Sequence, residues 1–190
     1  IKIKQLSYWL ESEHGASTIH PERSEDVTVP LFSLDSGLFF ERDLEWGKKD
    51  YRQTLDPRIF YLYSPKKNQQ NLPNFDSSEL TFNYSQLFRD SRFSGGDRIA
   101  DYNQVSIGLG SNISSQDSGN ELLSLSLGQA FFIEDPAIRL LPNQDSPESS
   151  PISGSMTMHL SQNWLINSGF TWNSDKNINE TNSLGVTYLG

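Results

Sequence analysis

Apolar side chains recur at every second position of this chain, facing partners that are small and uncharged. Val105, Ile107 and Leu109 alternate with Gln104, Ser106, Gly108 and Gly110. Leu123, Leu125, Leu127 and Phe131 alternate with Ser124, Ser126, Gly128 and Ala130. Met156, Met158 and Leu160 alternate with Ser155, Thr157, His159 and Ser161. Trp164, Ile166, Phe170 and Trp172 alternate with Leu165, Asn167, Gly169 and Thr171. Upstream, Phe32, Leu34, Leu38 and Phe40 oppose Ser33, Asp35 and Gly37, and Leu55, Pro57, Ile59, Tyr61 and Tyr63 share one row. Leu184, Val186 and Tyr188 close the chain, and residues 1–10 alternate weakly. A period of 2 puts each set on one face of a β-strand. Pro57 has no N–H for a ladder, so it marks a strand start or a local break.

The composition of the two faces decides what kind of sheet this is. A soluble β-sandwich also alternates, but its solvent face is usually rich in Lys and Glu. Here the strand segments between Asn103 and Ile133 carry almost no charge. Ser, Thr, Gly, Gln and Asn opposite an aliphatic row suit a barrel with a wet lumen and a lipid-facing wall. Val105, Ile107, Leu109, Leu123, Leu125 and Leu127 are then lipid-facing. Phe32, Phe40, Phe131, Phe132, Trp164, Trp172 and Tyr188 near strand ends fit interfacial girdles. No stretch approaches the roughly 18 apolar residues of a spanning helix. Neither that nor a mean hydropathy of −0.55 argues against a membrane barrel, in which only alternate residues meet lipid. The expected fold class is all-β: about eight antiparallel strands of a transmembrane β-barrel segment. Residues 1–190 then form one unit, a fragment of a larger barrel, because the chain starts at Ile1 without Met and stops in mid-pattern at Gly190.

Loop lengths test the arrangement. Long loops of outer-membrane barrels lie on the extracellular side and short turns on the other. The segments 11–29, 64–102, 134–153 and 173–181 read as long and polar, and 41–51, 114–120 and 162–163 as short turns. The sides sort cleanly only if 64–102 is one extracellular excursion. Within it Leu80, Phe82 and Tyr84 alternate as in a strand, while Leu80, Tyr84, Leu87 and Phe88 fit helical spacing. The piece therefore reads as a short hairpin or helix packed into or over the lumen. A loop of this length without structure or function would be unusual.

Little in the chain points to catalysis. Asp90, Arg92, Asp97, Arg98 and Asp101 surround Gly95-Gly96. Asp97 and Asp101 could serve as the carboxylate pair of a glycosidase. An Arg–Asp network pinning the loop is the better reading, because arginine beside an acid lowers its pKa rather than preparing a general acid. His14, His20 and His159 are scattered without ligand spacing, and no Gly-x-Ser-x-Gly elbow exists. The chain has no cysteine, which removes disulfides, thiolate sites and a thiol nucleophile. A net charge of −9 argues against nucleic acid as a partner. The expectation is a protein that is not an enzyme, with no metal and no cofactor. Lys66 and Lys67 could meet lipid phosphates, with Asp145 and Glu148 reaching them through divalent cations.

Three pieces in order carry a family resemblance: LDPRIFYLYSP, then NFDSSELTFNYSQLFRDSRFSGGDRIAD, then NQVSIGLG. Together they resemble the C-terminal barrel domain of the LptD family, and looser similarity runs from Pro30 to Tyr188. The resemblance implies a bacterial outer-membrane location in a Gram-negative cell and a function: part of the translocon that assembles lipopolysaccharide into the outer leaflet, with no bond made or broken. It implies lipopolysaccharide and outer-membrane lipid as partners, a lipoprotein plug of the LptE kind, and an LptA-like periplasmic bridge reached through a domain absent here. It implies a lateral seam between strands not in this chain. Asp56, Pro57, Arg58, Arg89, Asp97, Arg98 and Asp101 match the family's motif positions and are expected to shape a loop and lumen network. A passive porin-like channel and a soluble β-sandwich that binds carbohydrate are the alternatives.

Overall fold

A computed structural model describes residues 1–9, 24–70, 72–140 and 148–190. The strands are β1 (Lys2–Trp9), β2 (Ser24–Gly37), β3 (Phe40–Trp46), β4 (Lys49–Ser64), β5 (Ser78–Glu79), β6 (Phe93–Ser94), β7 (Tyr102–Ser115), β8 (Glu121–Phe132), β9 (Ile152–His159), β10 (Trp164–Asn173) and β11 (Ile178–Tyr188). Nine form one antiparallel sheet in the order β1-β2-β4-β7-β8-β9-β10-β11, with β3 also on β4. The fold is all-β and, as expected of a barrel fragment, the sheet does not close on itself: β1 and β11 are its two edges.

β2 and β3 are one strand in register. Gly37 faces Arg58 and Phe40 faces Leu55, so the pairing with β4 keeps step across Leu38 and Phe39. Leu38 N–H still donates to Pro57 O at 2.9 Å. The return bond is missing because Pro57 has no N–H. Proline thus stays inside β4 and moves the break onto its neighbour. The segment 41–51 is accordingly not a turn, as its charges suggested. It is a hairpin whose turn is only Gly47-Lys48. Charges tolerate a strand here because both faces of β3 are open to solvent or only half-covered.

The two faces of the sheet differ as the alternation requires. On β7 and β8 the aliphatic row stands bare: Ile107, Leu109, Leu125 and Leu127 keep between 42% and 50% of their surface. The opposite row, Gln104, Ser106, Gly108 and Ala130, is buried. What buries it is the segment between β4 and β7. Because β4 pairs β7 directly, that excursion leaves and returns at one end of the sheet. It folds back as a short β5–β6 ladder and a 3-10 turn, Tyr84–Phe88. Of the two forms considered for Leu80–Phe88, the strand is absent, because the ladder stops at Glu79, and the helical spacing is realised only as the 3-10 turn from Tyr84. Phe132 belongs to the covered face by register, so it is not part of a girdle.

The main apolar core lies between the sheet and this insert: Leu31, Phe60, Leu62, Phe93, Ala100 and Tyr102, with Phe88, Ile138 and Leu140 packed against them. The β1–β2 hairpin rises past the end of β4, since Lys2 pairs with Leu31 while Tyr63 pairs with Phe32. Val29 and Leu31 on its covered face are buried, and Leu31 joins the core against the insert. The expected loop at 11–29 is strand from Ser24 onward. His14 and His20 lie outside the described residues, as does Asp145.

Candidate functional site

The candidate site is the insert 65–101 and the side chains that hold it against the sheet. Its 3-10 turn starts where Asn83 caps it, accepting from Ser85 N–H through its side chain. The turn presents Tyr84, Leu87 and Phe88 to the strands. Two glycines make room. A Cβ on Gly108 would sit 2.5 Å from Phe88 Cζ, and one on Gly128 would sit 2.7 Å from Leu87 Cδ1. Arg58 lies over the Phe88 ring, 4.1 Å from its centre, a cation–π contact. It is aimed by Asp35, with Nε–Oδ1 at 2.9 Å and Nη2–Oδ2 at 2.5 Å. Asp56 stands next to this pair and accepts from Thr54 Oγ1 at 3.3 Å. Pro57 points to the bare face by register.

Further along, the Gly95-Gly96 turn sets up the second anchor. Gly95 has φ +73°, and a Cβ there would meet Asp76 Oδ1 at 2.4 Å. Only glycine fits that backbone and that space. The turn delivers Asp97, which is buried. Its carboxylate accepts from the Tyr8 hydroxyl of β1, and from Phe75 N–H and Asp76 N–H at 2.6 and 2.7 Å. The Tyr8 hydrogen bond first, then those backbone donors, hold the Asp97 carboxyl well below the usual range. Arg98 does not pair with that carboxylate. Its guanidinium donates to the carbonyls of Leu72, Pro73 and Asp97, each at 2.8 Å. Gln69 is buried and bonds Ile99 at both ends of its amide, 2.8 and 2.9 Å.

Asp101 ties the insert to the segment after β8. Its carboxylate accepts from Ala137 N–H at 2.7 Å and Ile138 N–H at 2.9 Å. Arg92 reaches Asp101 at 3.5 Å and donates to Ile138 O. At the far side Asp90 takes Lys2 Nζ at 2.8 Å, while Lys4 Nζ donates to Asp90 O at 2.6 Å. The Lys2 hydrogen bond is the main cause that lowers the Asp90 carboxyl. Arg89 is exposed at the end of the 3-10 turn, and Lys66 and Lys67 are exposed at the start of the insert. Val105 and Leu123 are half-buried on the bare face with the other aliphatic residues.

Backbone N–H groups occupy both acids proposed for a glycosidase pair, so the arrangement performs anchoring. Sequence reasoning missed Tyr8, Lys2 and Lys4, whose partners Asp97 and Asp90 lie 86 to 89 residues away. The inward apolar residues Phe60 and Leu62 did leave a signal: Ile59–Tyr63 is an unbroken apolar run, the mark of a strand covered on both faces.

A family model described as LptD, LPS transport system D, matches residues 1–190. An LPS-assembly protein LptD of Pseudomonas putida is 39% identical over 97% of the chain, which covers 20% of that protein. One from Pseudomonas savastanoi is 48% identical over 72% of the chain and 15% of its own length. One from Nitrosomonas eutropha is 38% identical over 92% of the chain and 23% of its own length. The chain thus spans less than a quarter of these relatives.

Proposed function

Since the chain belongs to the LptD family, we propose that it supplies wall strands and a lumen-capping insert to an outer-membrane barrel that assembles lipopolysaccharide into the outer leaflet. One observation carries this: the sheet has a bare aliphatic face and a polar face plugged by its own insert. A bare row of that extent is larger than a soluble monomer usually exposes. The row Leu55, Pro57, Ile59, Tyr61, Tyr63 on β4 covers nine residues, against the roughly 9–11 with which a tilted strand crosses the hydrocarbon core. Beyond Leu55 the same face carries a polar pair, Arg42 and Gln53, flanked by Leu44, Tyr51 and Ile113. Arg42 Nε donates to Gln53 Oε1 at 2.8 Å, and Gln53 Nε2 to Ser111 Oγ at 3.1 Å.

On this reading the described residues of the insert 65–101, with 133–140 and 148–151, lie on the extracellular side, and Gly47-Lys48, 116–120 and 160–163 on the periplasmic side. Arg58, Asp97, Arg98 and Asp101 hold the insert over the lumen, and no covalent chemistry takes place. The small polar residues below the insert, Ser124, Ser126, Thr157 and Asn167, suit a polar occupant such as an LptE-like lipoprotein. An LptA-like bridge would engage a domain outside this chain. Unpaired edges β1 and β11 would be paired by strands elsewhere in the whole protein, since open edges are not tolerated in lipid.

Single cysteines labelled on intact cells test the topology in the full-length protein. Lys67, Asp117 and Glu148 are all exposed, residues 1–190 contain no cysteine, and the full-length protein without an added cysteine serves as the control. Labelling at Lys67 and Glu148 without Asp117 is the expected result. Labelling at Asp117 alone inverts the barrel, and equal labelling at all three removes the membrane between them. A conductance measurement on the whole protein separates a plugged translocon from an open channel.

A further inference from the structure

The β3–β4 hairpin separates its charges by face. Its bare face continues the row of β4: Arg42 lies beside Gln53, Leu44 beside Tyr51 and Trp46 beside Lys49. That face holds two cations and no acid. The opposite face holds Glu41, Asp43, Glu45 and Asp50, with Arg52 paired to Asp43 at 3.6 Å. Lys48 sits in the turn that Gly47 opens at φ +70°. Among the described residues Lys48 and Lys49 meet no acid. Arg42 spends only its Nε, on Gln53 at 2.8 Å. Trp46 at the tip keeps 83% of its surface. The other two turns on this rim, 116–120 and 160–163, carry no lysine or arginine.

We propose that this hairpin docks on the periplasmic leaflet, where Arg42, Lys48 and Lys49 bind the phosphates of anionic phospholipid and Trp46 and Tyr51 sit at headgroup level. Depth supports this. At about 3.3 Å per residue and a strand tilt of about 40°, the face from Tyr63 to Lys49 descends roughly 35 Å along the membrane normal. The hydrocarbon core is about 30 Å thick, and the bilayer with its headgroups about 40–45 Å. The tip of the hairpin therefore passes the core and ends within the headgroup layer. Guanidinium and ammonium groups match phosphate oxygens there. Trp and Tyr belong where one end of the ring is apolar and the other wet. An acidic protein would also complement the cations. It would have to enter the headgroup layer to cover Leu44 and Tyr51, whereas lipid is already continuous with the wall above them. The proposal rests on the reading of the bare face as the lipid-facing wall of a barrel.

The test uses the full-length protein with its natural partners in vesicles of phosphatidylcholine, with or without phosphatidylglycerol. A nitroxide on Glu45→Cys reports the depth of the tip and leaves every docking residue in place. With phosphatidylglycerol the label should be shielded from a water-soluble nickel chelate, and in phosphatidylcholine alone it should be open to it. Each cation near an anionic surface is worth about fivefold, so Lys48→Gln with Lys49→Gln should lower the ratio of shielded to open hairpin about 25-fold. Both lysines are exposed and unpaired, so folding is not at risk. A label equally open in both lipids overturns the docking. Shielding that persists in lipid-free detergent, or crosslinking of position 45 to a protein, also overturns it and gives this face to a protein partner. A second label, on Ile107→Cys, reports the wall through collisions with oxygen. If that label lies in lipid while the hairpin stays open, the docking falls and the membrane reading stands. If the Ile107→Cys label is itself open to the nickel chelate, the membrane reading falls.

Discussion

The Tyr8 hydroxyl donates to the Asp97 carboxylate across 89 positions of sequence, and this one bond joins the edge hairpin to the turn that shapes the insert. Tyr8→Phe should therefore loosen a segment it does not belong to. A hydrogen bond to a charged acceptor contributes about 2 kcal/mol. Hydrogen exchange at Phe75 and Asp76, whose amides share that carboxylate, should accelerate roughly 30-fold. In a double-mutant cycle, Tyr8→Phe with Asp97→Asn should couple more strongly than Asp97→Asn with Arg98→Gln. Arg98 serves carbonyls and leaves the carboxylate alone. Stronger coupling in the Asp97–Arg98 cycle would restore the ion-pair network that the sequence suggested.

The same carboxylate fixes the acid response. Its folded pKa lies below the unfolded value, so its stabilisation is complete above the unfolded pKa of about 3.9 and is lost as pH falls through the folded value. Asp90 behaves with the same sign, because Lys2 lowers it too. Protection of the insert amides should hold from pH 8 to pH 5 and fail only in stronger acid. Tyr8→Phe removes the largest cause of the Asp97 shift and should move that failure to higher pH. Loss of protection between pH 7 and pH 5 would mean that some other group controls the insert.

Gly108 tests whether the insert is seated or merely nearby. Alanine there would press a methyl into the Phe88 ring at 2.5 Å and the Tyr84 hydroxyl at 2.7 Å. Overpacking of this kind costs about 1–3 kcal/mol. The expected outcome is a displaced insert, read as faster exchange across Tyr84–Phe88 and larger ion conductance of the whole barrel. A Cβ on Gly47 would meet nothing within 4 Å, and this glycine lies at the opposite rim. Although its φ of +70° makes alanine mildly unfavourable, Gly47→Ala should leave conductance unchanged.

The sheet was legible from sequence because alternation is a local property: Val105–Leu109, Leu123–Leu127 and Trp164–Trp172 show their faces within a few residues. Pro57 was legible as a break, although the break falls on Leu38–Phe39 across the ladder. The charged hairpin Phe40–Tyr51 was not legible, since its composition is that of a loop and only pairing with β4 makes it strand. The acids of the insert stood out as a cluster, but not their partners. Asp101 meets the amides of Ala137 and Ile138, and backbone donors carry no sequence signature.

A charge placed at different depths on the bare face gives the most direct measure of the membrane reading. Ile107 is half-exposed in mid-row, opposite Ile59 and Gln129. Ser111 lies beyond Leu109 on the same face, where Gln53 already bonds it. Arginine at the centre of a barrel's lipid face costs about 2–4 kcal/mol, and near the interface about 0–1. Ile107→Arg should therefore destabilise the full-length barrel in lipid vesicles far more than Ser111→Arg, as measured by equilibrium unfolding in denaturant. In a water-exposed sandwich both arginines would be solvated, and both changes would stay near the scale of about 0.5 kcal/mol typical of surface substitutions. Ser106→Arg, on the covered face, is the third arm. Ser106 is fully buried beneath the insert, so arginine there fails for lack of space in either setting. Only the gap between Ile107 and Ser111 reports on lipid, and equal costs at those two positions would remove the membrane from this face.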